Sequence, residues 1–219
     1  MPAAARPQSD TILLARLPAP LRALAAQGMI RHYRSRTMLI EEGAQGDTLF
    51  IILAGSVRIF CSGPRGREVT LAVYGTGDYV GEMSLDGEVR SASVSTETPT
   101  ACAIVTGQAL RQHLAASPPF ALEMMVRIIR RARLATESAR SMALVDALGR
   151  MTKLFDSLAV AQAGGARVIA PRLTQHQIAQ RVGCSRELVS RLLKDLEASG
   201  HLARREGQML LLKAFSQRW

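Results

Sequence analysis

Two groups of polar residues in this chain have the types and spacing that bind nucleotides, and the first surrounds Glu82. A guanidinium and a hydroxyl follow it at Arg90 and Ser91. Guanidinium groups, hydroxyls and backbone amides at a helix start bind phosphate oxygens, whereas a carboxylate accepts hydrogen bonds from ribose hydroxyls. A short helix beginning near Glu82 would expose such amides, so the segment predicts a nucleotide site. Its candidate residues are Gly81, Glu82, Met83, Ser84, Arg90 and Ser91. A structural salt bridge between Glu82 and Arg90 is the alternative.

The second group lies in a pattern of two short helices near the C-terminus. Thr174 and Gln177 have the spacing of a capping box, in which each side chain bonds a backbone amide at the helix start. Gly183 stands where the chain must turn sharply, and Ser185 can cap a second helix that ends at Gly200. Two short helices around a glycine turn are typical of a helix-turn-helix motif.

The first turns of that second helix carry polar residues that face away from its apolar stripe. Arg186 and Arg191 can each donate two hydrogen bonds to guanine, and Glu187 can accept one from cytosine. A good bidentate contact contributes about 1–3 kcal/mol of discrimination between bases. The candidate DNA-binding residues are Thr174, Gln175, Ser185, Arg186, Glu187, Ser190, Arg191, Arg204 and Arg205, with His176 as a further phosphate contact. A solvated charged face with no ligand is the alternative.

The distribution of charge favours a polyanionic partner for the C-terminal third. The 219 residues include 28 basic and 18 acidic ones. Residues 1–146 hold 16 basic and 13 acidic residues, whereas residues 147–219 hold 12 and 5. Solubility alone explains an excess of positive charge, but it does not predict that a third of the chain carries most of it.

Cysteine usage and hydropathy predict a cytoplasmic protein. Cys61, Cys102 and Cys184 are odd in number and far apart, so they form neither a disulfide framework nor a metal-binding CxxC pair. No apolar run approaches the ~18 residues that span a bilayer, and the N-terminus lacks the apolar core of a secretion signal. We therefore expect no membrane association and no metal.

Short apolar runs between Met29 and Val105 predict the element that carries the first site. They alternate with Gly, Asp and Pro, which is typical of a small antiparallel barrel or jelly roll. The expected strands are 38–40, 49–53, 56–61, 68–74, 92–95 and 102–105. Residues 62–66 read as the tip of one hairpin.

A helical pattern follows Pro118 and Pro119 and continues to Leu148 without Gly or Pro. Its apolar residues form a heptad seam, which is most simply paired with a second copy of the chain. The seam residues are Ala121, Met125, Ile128, Ala132, Ala135, Ala139 and Met142, and a second stripe of Phe120, Met124 and Ile129 remains for packing within the chain. Packing of the seam on the chain's own barrel is the alternative. A shorter amphipathic helix is expected from about Asp146 to Ala161.

Four motifs together resemble one known family along essentially the whole chain. They are GDxLFxxxxGxV at 46–57, GExxL with RSAxV at 81–94, DxxGR at 146–150 and IAxxVGCSRExVSR at 178–191. This combination resembles the cyclic-AMP receptor protein/FNR (Crp/Fnr) superfamily of bacterial transcription regulators.

The resemblance implies an α+β fold in three parts. These are an N-terminal cyclic-nucleotide-binding-like jelly roll over residues 1–117, a dimerisation helix over 118–145 and a winged helix-turn-helix over 146–219. It implies a homodimer on double-stranded DNA, at a palindromic operator with TGTGA-like half-sites, and contact with RNA polymerase if the protein is an activator. Enzymatic activity is not expected, because the sequence shows no nucleophile–base pair, metal spacing or Walker loop.

The same resemblance assigns ligand roles and leaves two possibilities open. Glu82 matches a ribose-binding glutamate, Arg90 and Ser91 match a phosphate-binding pair, and Thr136 matches a position that reaches the base. Cyclic AMP or another cyclic nucleotide is then the effector. However, the loop between Glu82 and Arg90 is one or two residues shorter than in members that bind cyclic AMP, and Ala135 replaces a threonine. Both departures favour the alternative, a DNA-binding regulator that is constitutive or senses another small molecule.

Overall fold

The computed structural model describes residues 7–161, 167–170, 172–205, 207–213 and 215. The chain divides into two compact units. One comprises Met1–Ser62 and Thr70–Ala132, and the other comprises Gly63–Val69 and Arg133–Trp219.

The first unit begins with two short helices and continues as β-strands before it returns to helix. In chain order its elements are α1 (Pro7–Ala15), α2 (Ala19–Ala25), β1 (Met29–Tyr33), β2 (Met38–Ile40), β3 (Leu49–Ala54), β4 (Ser56–Ser62), β5 (Glu68–Gly75), β6 (Tyr79–Val80), β7 (Ser93–Thr96), β8 (Thr100–Val105), α3 (Gly107–Ala116) and the start of α4 (Pro118–Leu144). A 3-10 helix, Glu82–Asp86, follows β6, and another, Pro64–Gly66, lies between β4 and β5 in the segment that belongs to the second unit.

Two four-stranded sheets form the barrel, in the orders β1-β8-β3-β6 and β2-β7-β4-β5. The pairs whose register is resolved are antiparallel, as the pattern of short runs predicts. All six expected strands are present. The sequence did not identify β1 and β6, because β1 buries none of its residues fully and β6 has two residues.

Strand β3 shows why the barrel and its helical cover form together. Phe50 and Ile52 face the barrel interior, where they pack with Val57, Val94 and Cys102. Leu49, Ile51 and Leu53 face the opposite side, where they pack against residues of α2, α3 and α4. Because alternate side chains of a strand point to opposite faces, a continuous apolar run is buried on both sides. The strand therefore joins two cores.

Helix α4 buries only part of its predicted apolar surface within this chain. Phe120 and Met124 are buried in the core beside β3, as expected. The prediction for Ile129 is wrong, because its side chain is 46% exposed. Seam residues Met125 and Ile128 are also exposed, so this stripe does not pack on the chain's own barrel.

The second unit combines the end of α4 with a helical core and a small sheet. Its further elements are α5 (Ala147–Leu158), β9 (Ala159–Ala161), β10 (Arg167–Ile169), α6 (Gln175–Val182), α7 (Arg186–Ala198), β11 (Leu202–Arg205) and β12 (Gln208–Leu211). The sheet order is β11-β12-β10-β9. The helix predicted to reach Ala161 ends at Leu158, because the next three residues pair with β10. Asp146 caps α5 by accepting a hydrogen bond from the Gly149 amide at 2.7 Å.

Candidate functional site

The Glu82 carboxylate lies at the start of the 3-10 helix and is already paired within the chain. Its Oε1 atom accepts a hydrogen bond at 2.6 Å from Arg131 Nη1, and the two side chains are only 11% and 17% exposed. Arg131 also donates to the Tyr79 carbonyl at 2.8 Å. The partner of Glu82 is therefore Arg131 of α4. The salt-bridge alternative had named Arg90 as this partner. Sequence reasoning missed Arg131. The one signal for it in the sequence was its position among adjacent basic residues beside the heptad seam.

Two tyrosines hold the Arg131 guanidinium in place. Its Cζ atom lies 4.2 Å from the ring centroid of Tyr74 and 4.8 Å from that of Tyr79. Cations over aromatic faces are attracted by the ring quadrupole. Burial raises the pKa of Tyr79 to about 12, against the opposing effect of Arg131, and burial also raises the pKa of Tyr74. Both phenols therefore stay neutral near pH 7.

Arg90 is buried, with 6% of its surface exposed, and it bonds three oxygen atoms of the chain. It donates to the Gly81 carbonyl at 3.0 Å, to the Thr48 carbonyl at 2.9 Å and to the Thr48 hydroxyl at 3.0 Å. Burial lowers the pKa of Arg90, while Asp47 and Glu82 act in the opposite direction. Arg90 thus joins the loop before β3 to the start of the Glu82 helix.

Glycine at position 81 is required by this arrangement. Gly81 has φ 95°, and a Cβ atom there would lie 2.5 Å from the Thr48 carbonyl oxygen and 2.7 Å from Arg90 Nη1. Both the left-handed backbone and the close approach exclude a side chain. The glycine of the GExxL motif therefore leaves the space that the Arg90 guanidinium occupies.

The remaining candidate ligand residues differ in exposure. Ser91 is exposed, and its hydroxyl donates to Met83 Sδ at 3.3 Å. Met83 is 62% exposed, whereas Ser84 is buried. Thr136 is exposed on α4, in the part of that helix that belongs to the second unit. The structure thus brings Glu82, Arg90, Ser91 and Met83 into one region of the first unit.

The predicted helix-turn-helix is present, with its capping interactions. The Thr174 hydroxyl accepts from the Gln177 amide at 3.2 Å, and the Gln177 side chain accepts from the Thr174 amide at 2.9 Å. Gly183 ends α6 with φ 71°. The Ser185 hydroxyl caps α7 by accepting from the Leu188 amide at 3.2 Å. Val189, Leu193 and Leu196 are the buried residues of α7.

The polar face of α7 is exposed where sequence reasoning placed it. Arg186, Glu187 and Arg191 are exposed, and Ser190 is half-buried. Hydrogen bonds from its own backbone amide and from the Ser185 hydroxyl lower the pKa of Glu187. Its carboxylate is therefore ionised and accepts hydrogen bonds at neutral pH.

A cavity of about 370 Å³ opens between the start of α6 and the β11–β12 hairpin. Thr174, Gln175 and His176 line it together with Arg172, Arg186 and Arg204. Sequence reasoning missed Arg172, which precedes the first helix and belongs to no motif. Arg204 and Arg205 are both exposed on β11, and Arg204 donates to Glu197 at 2.6 Å. Glu206 lies outside the described residues.

The end of α4 contacts the turn of the helix-turn-helix. A Cβ atom on Gly183 would lie 2.3 Å from Met142 Cε, so the seam residue Met142 packs directly on this turn. Arg150 of the DxxGR motif donates to the Val182 carbonyl at 2.8 Å. These two contacts tie α4 and α5 to the residues that set the start of α7.

Removing the Ser185 hydroxyl is expected to destabilise the second unit, since an N-cap serine contributes about 1 kcal/mol. Ser185→Ala should lower the free energy of unfolding by that amount in a urea titration. Ser157→Ala is the control, because that exposed hydroxyl bonds only a carbonyl of its own helix. Equal stability of Ser185→Ala and the wild type would contradict the capping role.

Comparisons with known families decide the identity of both units. Residues 30–117 match the family model of the cyclic nucleotide-binding domain. Residues 147–215 match that of the Crp-like helix-turn-helix domain. The chain belongs to the Crp/Fnr superfamily. The predicted α+β fold, with a barrel, a long helix and a C-terminal helix-turn-helix, is confirmed by this membership, and members of the family are DNA-binding transcription regulators.

Individual Crp/Fnr relatives match most of the chain. The cAMP-activated global transcriptional regulator CRP of Escherichia coli is 31% identical over 77% of this chain and 82% of its own length. The CRP-like cAMP-activated global transcriptional regulator of Mycobacterium tuberculosis is 35% identical over 78% of each chain. The c-di-GMP responsive global regulator CLP of Xanthomonas campestris has a solved structure that superposes with a TM-score of 0.80, at 27% identity, over 89% of this chain and 98% of its own.

No group of three or more His, Cys, Asp or Glu side chains in the described ranges is placed to hold a metal ion. In the same part of the chain, no helix is both long and apolar enough to span a bilayer.

Proposed function

We propose that this Crp/Fnr regulator is a homodimer that binds a palindromic operator with TGTGA-like half-sites. The observation that carries the proposal is the exposed face of α7, where Arg186, Glu187 and Arg191 follow a capped start. The match to the Crp-like helix-turn-helix family supports it. Duplex DNA and a second copy of the chain are the proposed partners, joined by RNA polymerase if the regulator activates transcription.

The exposed seam of α4 supports the dimer. Met125 and Ile128 are 56% and 43% exposed, although they lie on one apolar stripe. An exposed apolar stripe of this length favours pairing with another copy. Two recognition helices in successive major grooves must be about 34–36 Å apart, and a symmetric dimer fixes that spacing.

Sedimentation and DNA binding together test this proposal. We expect a dimer by analytical ultracentrifugation and preferential binding to a palindrome over a duplex with one half-site scrambled. A monomer, or equal affinity for the palindrome and fully scrambled DNA, would overturn it.

A cyclic nucleotide is the proposed effector of the barrel. The family model, the two cAMP-activated relatives and the c-di-GMP responsive relative support this class of ligand. Glu82 and Ser91 supply a carboxylate for a ribose hydroxyl and a hydroxyl for a phosphate. The ligand must then favour the DNA-binding state by about 5.5 kcal/mol to shift a 1:99 population to 99:1. The small alanines of the seam permit such a rearrangement between paired helices.

A second candidate is regulation without a cyclic nucleotide, and a specific observation favours it. Glu82 is held by Arg131, and Arg90 already bonds three oxygen atoms of the chain. The groups expected to bind ribose and phosphate are therefore satisfied without a ligand. In this case the barrel is a scaffold and operator affinity is constitutive or set by another molecule.

Calorimetric titration separates the two candidates. Cyclic AMP, cyclic GMP and cyclic di-GMP are titrated into the wild type, Glu82→Gln and Ser91→Ala. Heat in the wild type that is lost or weakened at least tenfold in both variants supports nucleotide control. No heat in the wild type, with operator affinity unchanged by all three nucleotides, supports the second candidate.

Arg204 is expected to contact a DNA phosphate, and its ion pair with Glu197 is expected to weaken that contact. Arg204→Ala should weaken specific and random DNA alike and lower the slope of log affinity against log salt by about one. Glu197→Gln should strengthen binding to both DNAs, because it releases the guanidinium from its 2.6 Å partner. Fluorescence anisotropy between 50 and 200 mM salt measures both effects. Unequal losses on specific and random DNA for Arg204→Ala would contradict a phosphate role.

A further inference from the structure

Two arginines one helical turn apart on α4 bond the same short segment of the barrel. Arg127 donates to the Gly77 carbonyl at 3.2 Å and to Glu123 at 3.1 Å, and it lies 3.7 Å from Asp78. Arg131 donates to the Tyr79 carbonyl and to Glu82. Residues 77–82 are therefore held from one side by two guanidinium groups.

The Tyr79 ring connects these two contacts. The Arg127 Cζ atom lies 5.9 Å from its centroid, and that of Arg131 lies 4.8 Å from it. The tyrosine is 1% exposed and belongs to the core that includes Phe120 and Met124 of α4. The Tyr79 ring therefore contacts both guanidinium groups and is itself packed in the core, and close-packed interiors transmit strain.

The two arginines differ in what a ligand would disturb. Glu82 is a candidate ligand residue, so a ribose hydroxyl that takes its Oε1 atom competes with Arg131. The partners of Arg127 are the Gly77 carbonyl and the Glu123 carboxylate, which accept hydrogen bonds, and Asp78, which forms an ion pair at 3.7 Å. None of them is a candidate ligand residue. Two of these partners, Gly77 and Asp78, belong to the barrel segment, so the loss of either one leaves Arg127 attached to it.

We propose that Arg127 is a positioning residue that anchors α4 to the barrel while ligand binding releases Arg131. When Arg131 is released, α4 then turns about the contact between Arg127 and the barrel, and the helix does not detach. Arg127 consequently determines how strongly ligand binding affects the DNA-binding helices. This inference rests on the proposed nucleotide control of the same site.

Amide hydrogen exchange of the ligand-free protein tests the separate roles of the two arginines. The Gly77 and Asp78 amides, which donate to the Ile52 and Gly75 carbonyls, report on the anchor. Arg127→Gln should raise their exchange rates at least threefold, and Arg131→Gln should leave them within twofold of the wild type. Arg130→Gln is the matched control, because Arg130 is an exposed residue of the same helix. Unchanged protection in Arg127→Gln would overturn the anchor.

The ratio of operator affinities with and without cyclic AMP or cyclic di-GMP provides a readout that a purely structural role would not change. In Arg127→Gln we expect nucleotide affinity within twofold of the wild type and at least a fivefold smaller ratio. Arg127→Lys should restore part of the ratio, because an ammonium can still bond Gly77 or Asp78. A wild-type ratio in Arg127→Gln, or a parallel loss of nucleotide affinity, would overturn the proposal. If the wild type itself does not respond to nucleotide, nucleotide control fails and this positioning role fails with it, whereas the exchange result still shows whether Arg127 holds the segment.

Discussion

Arg90→Ala is expected to lower the free energy of unfolding by about 3 kcal/mol, even in the absence of ligand. The substitution removes three hydrogen bonds and leaves the Gly81 and Thr48 carbonyls without their buried donor. An unsatisfied buried acceptor costs about 1–3 kcal/mol. Urea unfolding should show a lower midpoint with an unchanged m-value. Arg90→Lys should recover little, since one ammonium cannot bond both segments as the planar guanidinium does.

Arg111→Ala is the matched control for this measurement. Arg111 is also an arginine of the first unit, but its side chain is 57% exposed and lies 3.9 Å from Asp47. Exposed ion pairs contribute about 0–1 kcal/mol. If Arg90→Ala were as stable as Arg111→Ala, and nucleotide binding alone were lost, Arg90 would be a phosphate ligand and not a structural tie. This is also why Glu82 and Ser91 are the better positions for testing the effector.

Arg191→Ala is expected to weaken operator binding by about 5- to 150-fold, which corresponds to about 1–3 kcal/mol. The guanidinium is exposed on the outer face of α7, where two parallel N–H groups can bond one guanine. Affinity for random DNA should change much less, because phosphate contacts dominate non-specific binding. Competition with operators that carry each of the four bases at one position should show that discrimination is lost at one guanine.

Lys194→Ala serves as the control, because Lys194 is an exposed cation three residues farther along the same helix. It should reduce specific and random binding equally or leave both unchanged. An equal loss on specific and random DNA for Arg191→Ala would show that Arg191 contacts phosphate and does not read a base.

Local signals in the sequence predicted the second unit well. The capping box at Thr174, the left-handed turn at Gly183 and the cap at Ser185 each depend on residues within four positions of one another, so their types and spacing are sufficient. The exposed polar face of α7 follows from the position of its apolar stripe. The heptad seam likewise predicted the exposed apolar residues Met125 and Ile128, but Leu122, Ile129 and Leu134, which are outside the seam, are exposed as well.

The partners of the barrel site required the tertiary structure. The amino-acid sequence by itself determined that a carboxylate, a guanidinium and a hydroxyl occur at Glu82, Arg90 and Ser91, and that a glycine precedes the first. It did not determine that Glu82 bonds Arg131, 49 residues away, or that Arg90 bonds Thr48, 42 residues away. Contacts between residues so far apart depend on how β3, β6 and α4 pack, and no local spacing encodes that packing. Only the folded chain decides which of these charged groups are already satisfied before a ligand arrives.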